Sequence, residues 1–470
     1  MKQAGAQTSA RTLVRGLGPA AMTAMVVTGV IGAGVFLKAR AMTCNVGTPS
    51  AVLLAYAVAG LLTLAGALSL AELSAMMPRA GGQYNFIGAA FGRRWAFLYG
   101  WMETVVDGSA SIAAVAMVAV IFFNDYLGGA LGTSQVQLAT VGTIILVSLI
   151  TLASVHANGA FSLVLTVLKV LFIAGIGFVG YFGAGGQLGH FAHSGAAGLC
   201  QGIPAGARGG ASGFGAAVLA ALWSFNGWQP ICAMAEEVRN PGRTMPRALF
   251  HGILILIAIY LFVTASYYVA LEPVEVASLH ESSSVAGAVM SKILGAHGAA
   301  WVSLGLVGSI FGCLHVLTLS AARIPFAMAR DGLMPRALAS LSPRACVPWV
   351  AVMLLAGLSM GFAFSGTFDV LTDMIVFVLL LFNGLSVAAV YVLRRRLPDA
   401  ARPYRVWGYP VVPALFLLAA AYLMVNTLIA MPGRAVAGLA LVALGLPVYA
   451  YYSRSAGAPH VSRDTMSDTP

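Results

Sequence analysis

The chain has 470 residues, 59% of them hydrophobic and only 9% charged, with a mean hydropathy of +0.88. A soluble domain carries about 25% charged residues, so the chain belongs in lipid. The net charge of +11 is not gathered in one basic domain, which excludes a nucleic-acid-binding role. The apolar runs are continuous rather than alternating, which excludes an outer-membrane barrel.

A spanning helix needs about 20 apolar residues. Twelve apolar runs follow one another at 17–38, 50–77, 92–123, 136–154, 159–182, 212–235, 247–270, 299–322, 347–365, 369–392, 411–430 and 434–452. Of the 26 Lys and Arg residues, 20 fall in the amino-terminal segment, the even-numbered connections or the carboxyl tail. Arg11, Arg15, Arg79, Arg93, Arg94, Arg239, Arg243, Arg247, Arg330, Arg336 and Arg394 to Arg396 are among them. Lys38, Arg40, Arg208, Lys292 and Arg434 fall on the other side, and Lys169 sits inside a span. Short cytoplasmic loops carry the excess of Lys and Arg, which predicts both termini in the cytoplasm. Glu272, Glu275 and Glu281 fall in an external loop. No cleavable signal peptide is expected. The five cysteines (Cys44, Cys200, Cys232, Cys313 and Cys346) lack metal-ligand spacing. Cys44 and Cys200 both fall outside, where a disulfide is possible, but free thiols are the expectation for all five.

Two spans are interrupted. The first contains Gly29-Val30-Ile31-Gly32-Ala33-Gly34-Val35-Phe36, and the sixth contains Trp223-Ser224-Phe225-Asn226-Gly227-Trp228-Gln229-Pro230. Glycine costs a helix about 1 kcal/mol relative to alanine and proline about 3 kcal/mol. Backbone released from helical pairing must be buried or line a cavity. Close helix packing is the plainer explanation of one glycine cluster. Two breaks five spans apart suit a five-plus-five inverted repeat, and paired interruptions point to a transporter site. The free N–H groups of one half-helix attract a carboxylate, and unpaired carbonyls of the other accept from an ammonium. An α-amino acid offers both.

Further motifs sharpen this. Gly32-Ala33-Gly34-Val35-Phe36 is followed by Ala71-Glu72-Leu73, Pro78, Gly81-Gly82-Gln83-Tyr84 and Phe225-Asn226-Gly227-Trp228. Then come Glu236-Glu237-Val238-Arg239-Asn240-Pro241, Pro246-Arg247-Ala248 and Ala327-Met328-Ala329-Arg330-Asp331-Gly332. Arg402-Pro403-Tyr404-Arg405 and Gly408-Tyr409-Pro410 complete the set. In this order they resemble the amino acid–polyamine–organocation transporter superfamily over about residues 14–452, most closely its L-type amino acid exchanger branch and bacterial relatives. The resemblance implies an all-α polytopic membrane protein of twelve helices in the leucine-transporter-like arrangement, with helices 1 and 6 broken. It divides the chain into a cytoplasmic segment 1–16, a first repeat 17–182, an external loop 183–211 and a second repeat 212–393. A cytoplasmic loop 394–410, two further helices in 411–452 and a cytoplasmic tail 453–470 follow.

By the same resemblance, the N–H groups of Ala33 and Gly34, beside Gly32, hold the substrate carboxylate. Carbonyls near Val30, Trp223 and Asn226 receive the amino group, with Ser224 and Gly227 completing the second break. Trp223 takes the place of an aromatic gate. Relatives that pair with a heavy chain use a cysteine in the loop after the third span, and residues 124–135 contain none. No heavy-chain partner is therefore expected, and a bacterial inner membrane is the expected setting.

Ionisable residues inside a membrane are functional candidates by default. Lys169 lies about ten residues from the nearer end of its span, too deep for easy snorkelling. The resemblance places it beside the first span, where sodium-coupled relatives hold a cation, so its ammonium replaces the metal ion and transport is expected without sodium. Glu103 and Asp107 are four apart and share a helical face. Asp107 falls where relatives place an apolar residue of the side-chain pocket. It either pairs with a cationic substrate, takes up a proton, or is satisfied by neighbouring polar groups. Glu72, Glu236 and Glu237 are expected to pair with Arg79, Arg239 or Arg243. His315 is expected to be structural, and Asp369 and Asp373 to face the outer water layer.

The sequence is thus read as a sodium-independent secondary transporter of amino acids working by alternating access, without cofactor or metal. A cationic amino acid or polyamine transporter using Asp107 is the alternative within that class. A non-transporting membrane amino acid sensor is the alternative outside it, and the short segment after Tyr452 argues against an appended signalling domain. There is no HExxH and no His/acid cluster at metal spacing, which argues against a membrane enzyme.

Overall fold

A computed structural model describes residues 12–183, 187–280, 283–365, 368–430 and 432–455, except for the side chains of 296, 365, 368–376, 430, 434 and 455. The expectations for Arg11, Glu281, Arg434, Asp369 and Asp373 lie outside the described residues or side chains.

The regular elements among the described residues are helices. The α-helices are α1 (Pro19–Val30), α2 (Gly34–Val46), α3 (Pro49–Met76), α4 (Gln83–Phe91), α5 (Arg93–Trp101), α6 (Gly108–Tyr126), α7 (Thr133–Thr151), α8 (Val155–Phe182) and α9 (Gly210–Ser224). There follow α10 (Pro241–Ala270), α11 (Pro273–Ser278), α12 (Val285–Leu294), α13 (Ala296–Ala321), α14 (Arg323–Arg330), α15 (Trp349–Ser365), α16 (Phe368–Arg396), α17 (Val411–Ala430), α18 (Pro432–Ala443) and α19 (Gly445–Ser455). Among the described residues nine helical stretches are long and apolar enough to span a membrane, and the bent pair α1/α2 is a tenth. The shorter apolar helices α9 and α15 occupy the sixth and ninth apolar runs, so all twelve runs are helical.

Local chemistry sets many of the ends. Pro49 and Pro241 open α3 and α10, where the missing N–H costs nothing. The Ser154 hydroxyl accepts from Ala157 N at the start of α8. Gly47, at φ 78°, ends α2 in a left-handed turn whose N–H donates to Thr43 O. The core between α1, α3, the inner part of α9 and α10 is filled by Tyr56, Phe225, Tyr260 and Tyr267, all essentially inaccessible. Leu168 and Leu171 of α8 and Leu418 and Val425 of α17 are exposed instead. Such outward leucines face acyl chains, not water.

One expectation is corrected at the end of the molecule away from most arginines. Lys38 and Arg40 both lie within α2. Arg40 is buried because its guanidinium donates to Leu279 O and Gln201 O, each at 2.6 Å. Cys44 and Cys200 are not free thiols but form a disulfide, with Cα atoms 5.6 Å apart. The loop that carries Cys200 is drawn onto the end of α2 by Arg40 and by the Asn45 amide, which donates to Ala207 O at 2.6 Å. Gly209 N returns a bond to Asn45 O at 2.7 Å.

Candidate functional site

The first break is short and sharp. α1 ends at Val30, α2 begins at Gly34, and the two axes differ by 47°. Gly32 N donates to Val30 O at 2.8 Å instead of to Thr28 O, its partner in an unbroken helix. This frees the carbonyls of Thr28 and Ile31, and both are taken by one side chain. The Lys169 Nζ donates to Thr28 O at 3.0 Å and to Ile31 O at 2.6 Å. Lys169 is 3% exposed, so a buried amine inside the span is held by backbone carbonyls that the break itself frees.

The second break is of another kind. α9 ends at Ser224, residues 225–229 run without regular helix, and Pro230–Glu237 continues as a 3₁₀ helix. Asn226 N donates to Trp223 O at 3.2 Å, and the Tyr260 hydroxyl donates to Ser224 O at 2.9 Å. Gln229 Nε2 donates to Asn226 Oδ1 at 3.2 Å. Gly227 has φ 111°, a conformation only glycine adopts without strain.

The breaks meet. A Cβ on Gly227 would lie 2.4 Å from Gly29 O and 3.5 Å from the Val30 Cα. One on Gly34 would lie 2.8 Å from Ser224 Cα. Glycine thus serves both packing and backbone exposure at these positions. Gly32 differs: a Cβ there meets only Cys313 Sγ, at 4.0 Å. Gly32 and Ala33 are partly exposed, Asn226 is exposed and Trp223 is 48% exposed. At the N-terminus of α2 the first N–H groups have no intrahelical acceptor.

Comparisons with known proteins identify the family. A family model described as amino acid permease matches residues 17–449. The chain belongs to the amino acid permease family. The serine/threonine exchanger SteT of Bacillus subtilis is 29% identical over 427 residues, covering 90% of this chain and 94% of SteT. The human large neutral amino acids transporter small subunit 2 is 27% identical over 454 residues, covering 95% of this chain and 82% of that protein. The human cystine/glutamate transporter is 27% identical over 440 residues, covering 93% and 84%. The chain is therefore a multi-pass amino acid permease, a transporter of the superfamily its motifs resemble.

In this permease the remaining candidates separate. Asp107 and Glu103 lie in a π-helical turn, Met102–Asp107, that joins α5 to α6. Such turns recur at functional sites. The turn packs against α14, α15, α16 and α18. Asp107 Oδ1 accepts from the Ser111 hydroxyl at 3.1 Å. Buried Glu103 lies within hydrogen-bonding reach of Tyr99, whose hydroxyl donates to Gln83 Oε1 at 3.0 Å. His315 is buried and bridges α13 to α8, with Nε2 2.8 Å from Asn158 Oδ1 and Nδ1 3.3 Å from the Ser162 hydroxyl. Among the described residues no group of three His, Cys, Asp or Glu is arranged to hold a metal.

Glu72, Glu236 and Glu237 are paired, but not with Arg79, Arg239 or Arg243. Glu72 accepts from Arg394 at 2.9 and 2.6 Å and from Val406 N at 2.7 Å, with Arg402 beside it. Glu236 accepts from Arg330 at 2.8 Å and from Ala80 N at 2.9 Å. Glu237 takes both arms of Arg323, at 2.7 and 2.9 Å, with both side chains essentially inaccessible. Arg79 stands 4.0 Å from Asp331, and Arg239 lies against His156. The paired arginines come from α14, α16 and the loop after it, distant in sequence from the acids they meet.

The same end carries a backbone tie. Gly16 N and Leu17 N both donate to Glu237 O, and Arg239 N donates to Leu17 O at 2.8 Å, which ties the segment before α1 to the sixth span. The Arg323–Glu237 pair lies under this tie. Breaking a buried pair from one side strands the other charge. Arg323→Gln is therefore expected to cost about 3–5 kcal/mol, seen as an earlier thermal transition of the purified permease. Replacing both residues together, with Arg323→Met and Glu237→Leu, should restore most of that loss. A single substitution with an unchanged transition would show that the pair carries no such weight.

Proposed function

We propose that this permease exchanges amino acids across the cytoplasmic membrane without sodium, by alternating access, with the substrate held between its two broken helices. The observation that carries this is the meeting of the breaks at Gly29–Gly227 and Gly34–Ser224, with Lys169 on the carbonyls the first break frees. The substrate carboxylate rests on the N–H groups of Ala33 and Gly34, and its ammonium on carbonyls near Val30, Trp223 and Asn226. Trp223 closes over it. A resident ammonium at the carbonyl cluster removes the need for a metal cation. The arginine-rich end, by the bias of cytoplasmic loops toward Lys and Arg, is the cytoplasmic one, with both termini there. The ties at that end and the half-exposed Trp223 support reading this conformation as the outward-facing member of the cycle. The division into repeats at 17–182 and 212–393 belongs to the same proposal, as does function without a heavy chain.

Neutral amino acids are the proposed substrates, in keeping with the names of the serine/threonine and large neutral relatives. A second reading rests on Asp107. A carboxylate in a low-dielectric wall needs a partner, and a cationic amino acid or polyamine would supply one, as would a proton. Uptake of labelled amino acid into proteoliposomes, with a panel of unlabelled competitors, tests both. We expect internal amino acid to stimulate uptake, and choline in place of sodium to leave it unchanged. A steep sodium dependence would contradict the proposal. Asp107→Asn should shift the ranking or the pH profile of the panel. If neither moves, Asp107 is structural.

A further inference from the structure

The outer end of α2 is mounted on a cap formed by residues 187–209 and α11. Gly195 N donates to Gly47 O at 2.7 Å, Arg40 donates to Leu279 O and Gln201 O, and Asn45 is bonded to Ala207 and Gly209. Cys200 N donates to Ala277 O at 3.2 Å, which ties the loop to α11, and Arg208 Nη2 donates to Cys200 O at 2.8 Å. On another side α2 meets α10 through the Thr43 and Tyr268 hydroxyls, 2.6 Å apart. Among the described residues the Cys44–Cys200 disulfide is the one covalent link in this mount, and it joins positions 156 apart in the chain.

Cys44 and Cys200 are both buried. Cys200 has φ 44°, a left-handed conformation that a residue with a Cβ rarely adopts. The disulfide holds it there. With the bond opened, Cys200 is free to return to an ordinary backbone conformation, which turns its N–H away from Ala277 and its carbonyl away from Arg208. The remaining hydrogen bonds between loop and helix are ones for which water competes. Nor does α1 hold α2 in line, because the corner between them bends by 47°. Gly34 lies ten residues before Cys44, about 15 Å along the helix. A tilt of about 4° at the mount therefore shifts the Gly34 end by about 1 Å, beyond the roughly 0.5 Å tolerance of a binding site.

We propose that Cys44 and Cys200 are positioning residues for substrate binding: their bond locks the outer cap onto α2 and so fixes the N–H groups of Ala33 and Gly34 at the far end of that helix. The inference rests on the placement of the substrate between the two breaks. It makes the grip on the substrate carboxylate sensitive to the redox state of the outer side, through a contact that never touches the substrate.

The test follows uptake of a transported amino acid by the full-length permease in proteoliposomes, before and after a phosphine on both sides of the membrane reduces the bond to two thiols. Reduction should raise KM by about threefold to tenfold and leave the maximal rate within about twofold. Re-oxidation should restore the starting KM. Cys44→Ser and Cys200→Ser should show the raised KM without reductant, and neither should respond to it, although Cys232, Cys313 and Cys346 remain as thiols. A cap that only stabilises the fold gives a lower thermal transition with KM unchanged, and that result would overturn the proposal. So would a response to reductant that persists in Cys44→Ser. Reduction acts on protein that is already folded, so the outcome does not depend on how well either variant folds. Gly32→Leu, run in parallel, separates two failures. If it loses binding while reduction leaves KM unchanged, the site stands and the role of the disulfide falls. If it binds normally, the site falls and the role of the disulfide falls with it.

Discussion

Lys169→Ala is expected to reduce uptake at least about tenfold while the permease still folds and inserts. The side chain is the shared donor to Thr28 O and Ile31 O, the two carbonyls that the first break releases. Stranding a buried polar group costs about 1–3 kcal/mol, a fraction of the roughly 5–15 kcal/mol that holds a typical folded protein together. The loss therefore falls mainly on the geometry of the break and not on the fold. The α1/α2 corner also receives the Thr166 hydroxyl on Ala24 O at 3.0 Å and the Cys313 thiol on Gly29 O at 3.0 Å. These remain in Lys169→Ala and keep α1 in place. Uptake by the purified variant, compared with its thermal transition, separates the two effects. Wild-type turnover in a well-folded Lys169→Ala protein would remove the ammonium from the mechanism.

Gly32→Leu is expected to abolish substrate binding without a comparable loss of stability. Most glycines at the breaks cannot report on the site cleanly. A methyl on Gly34 meets the Ser224 backbone at 2.8 Å, and one on Gly227 meets Gly29 O at 2.4 Å, so substitution there disturbs the packing of α2 on α9. Gly32 has room, its added carbon touching only Cys313 Sγ at 4.0 Å. A branched side chain at Gly32 fills the space beside the α2 N-terminus and takes the place of a bound carboxylate. Equilibrium binding of the transported amino acid to purified Gly32→Leu should be undetectable, with a thermal transition close to wild type. Normal affinity would place the substrate elsewhere.

What the sequence made legible was whatever its lipid setting renders costly. Glycines, Asn226 and Pro230 inside apolar runs stand out because helix-unfriendly residues in a span need a reason, and both breaks appear where the residues put them. Lys169 stands out because a charge at that depth has few harmless explanations. Arg323 gave no such signal. It sits at the edge of an apolar run, and its partner Glu237 is 86 positions away. The Cys44–Cys200 bond depends on how residues 187–209 fold over α2, which the spacing of the two cysteines does not encode. Met102–Asp107 carries no residue that distinguishes a π turn from ordinary helix, so the setting of Glu103 and Asp107 came only with the fold. The burial of Arg40 was equally hidden, because the carbonyls of Leu279 and Gln201 that receive it lie far away in the sequence.

The central claim is that an amino acid lies between the broken helices. It is tested most directly by an experimental structure of the permease with its transported amino acid bound. The account predicts the carboxylate within hydrogen-bonding distance of the N–H groups at Gly32–Gly34 and the ammonium beside the Trp223–Asn226 turn, with Lys169 still on Thr28 O and Ile31 O. Substrate bound instead at the Glu103–Asp107 turn, with the α2 N-terminus empty or filled by a side chain, would contradict it.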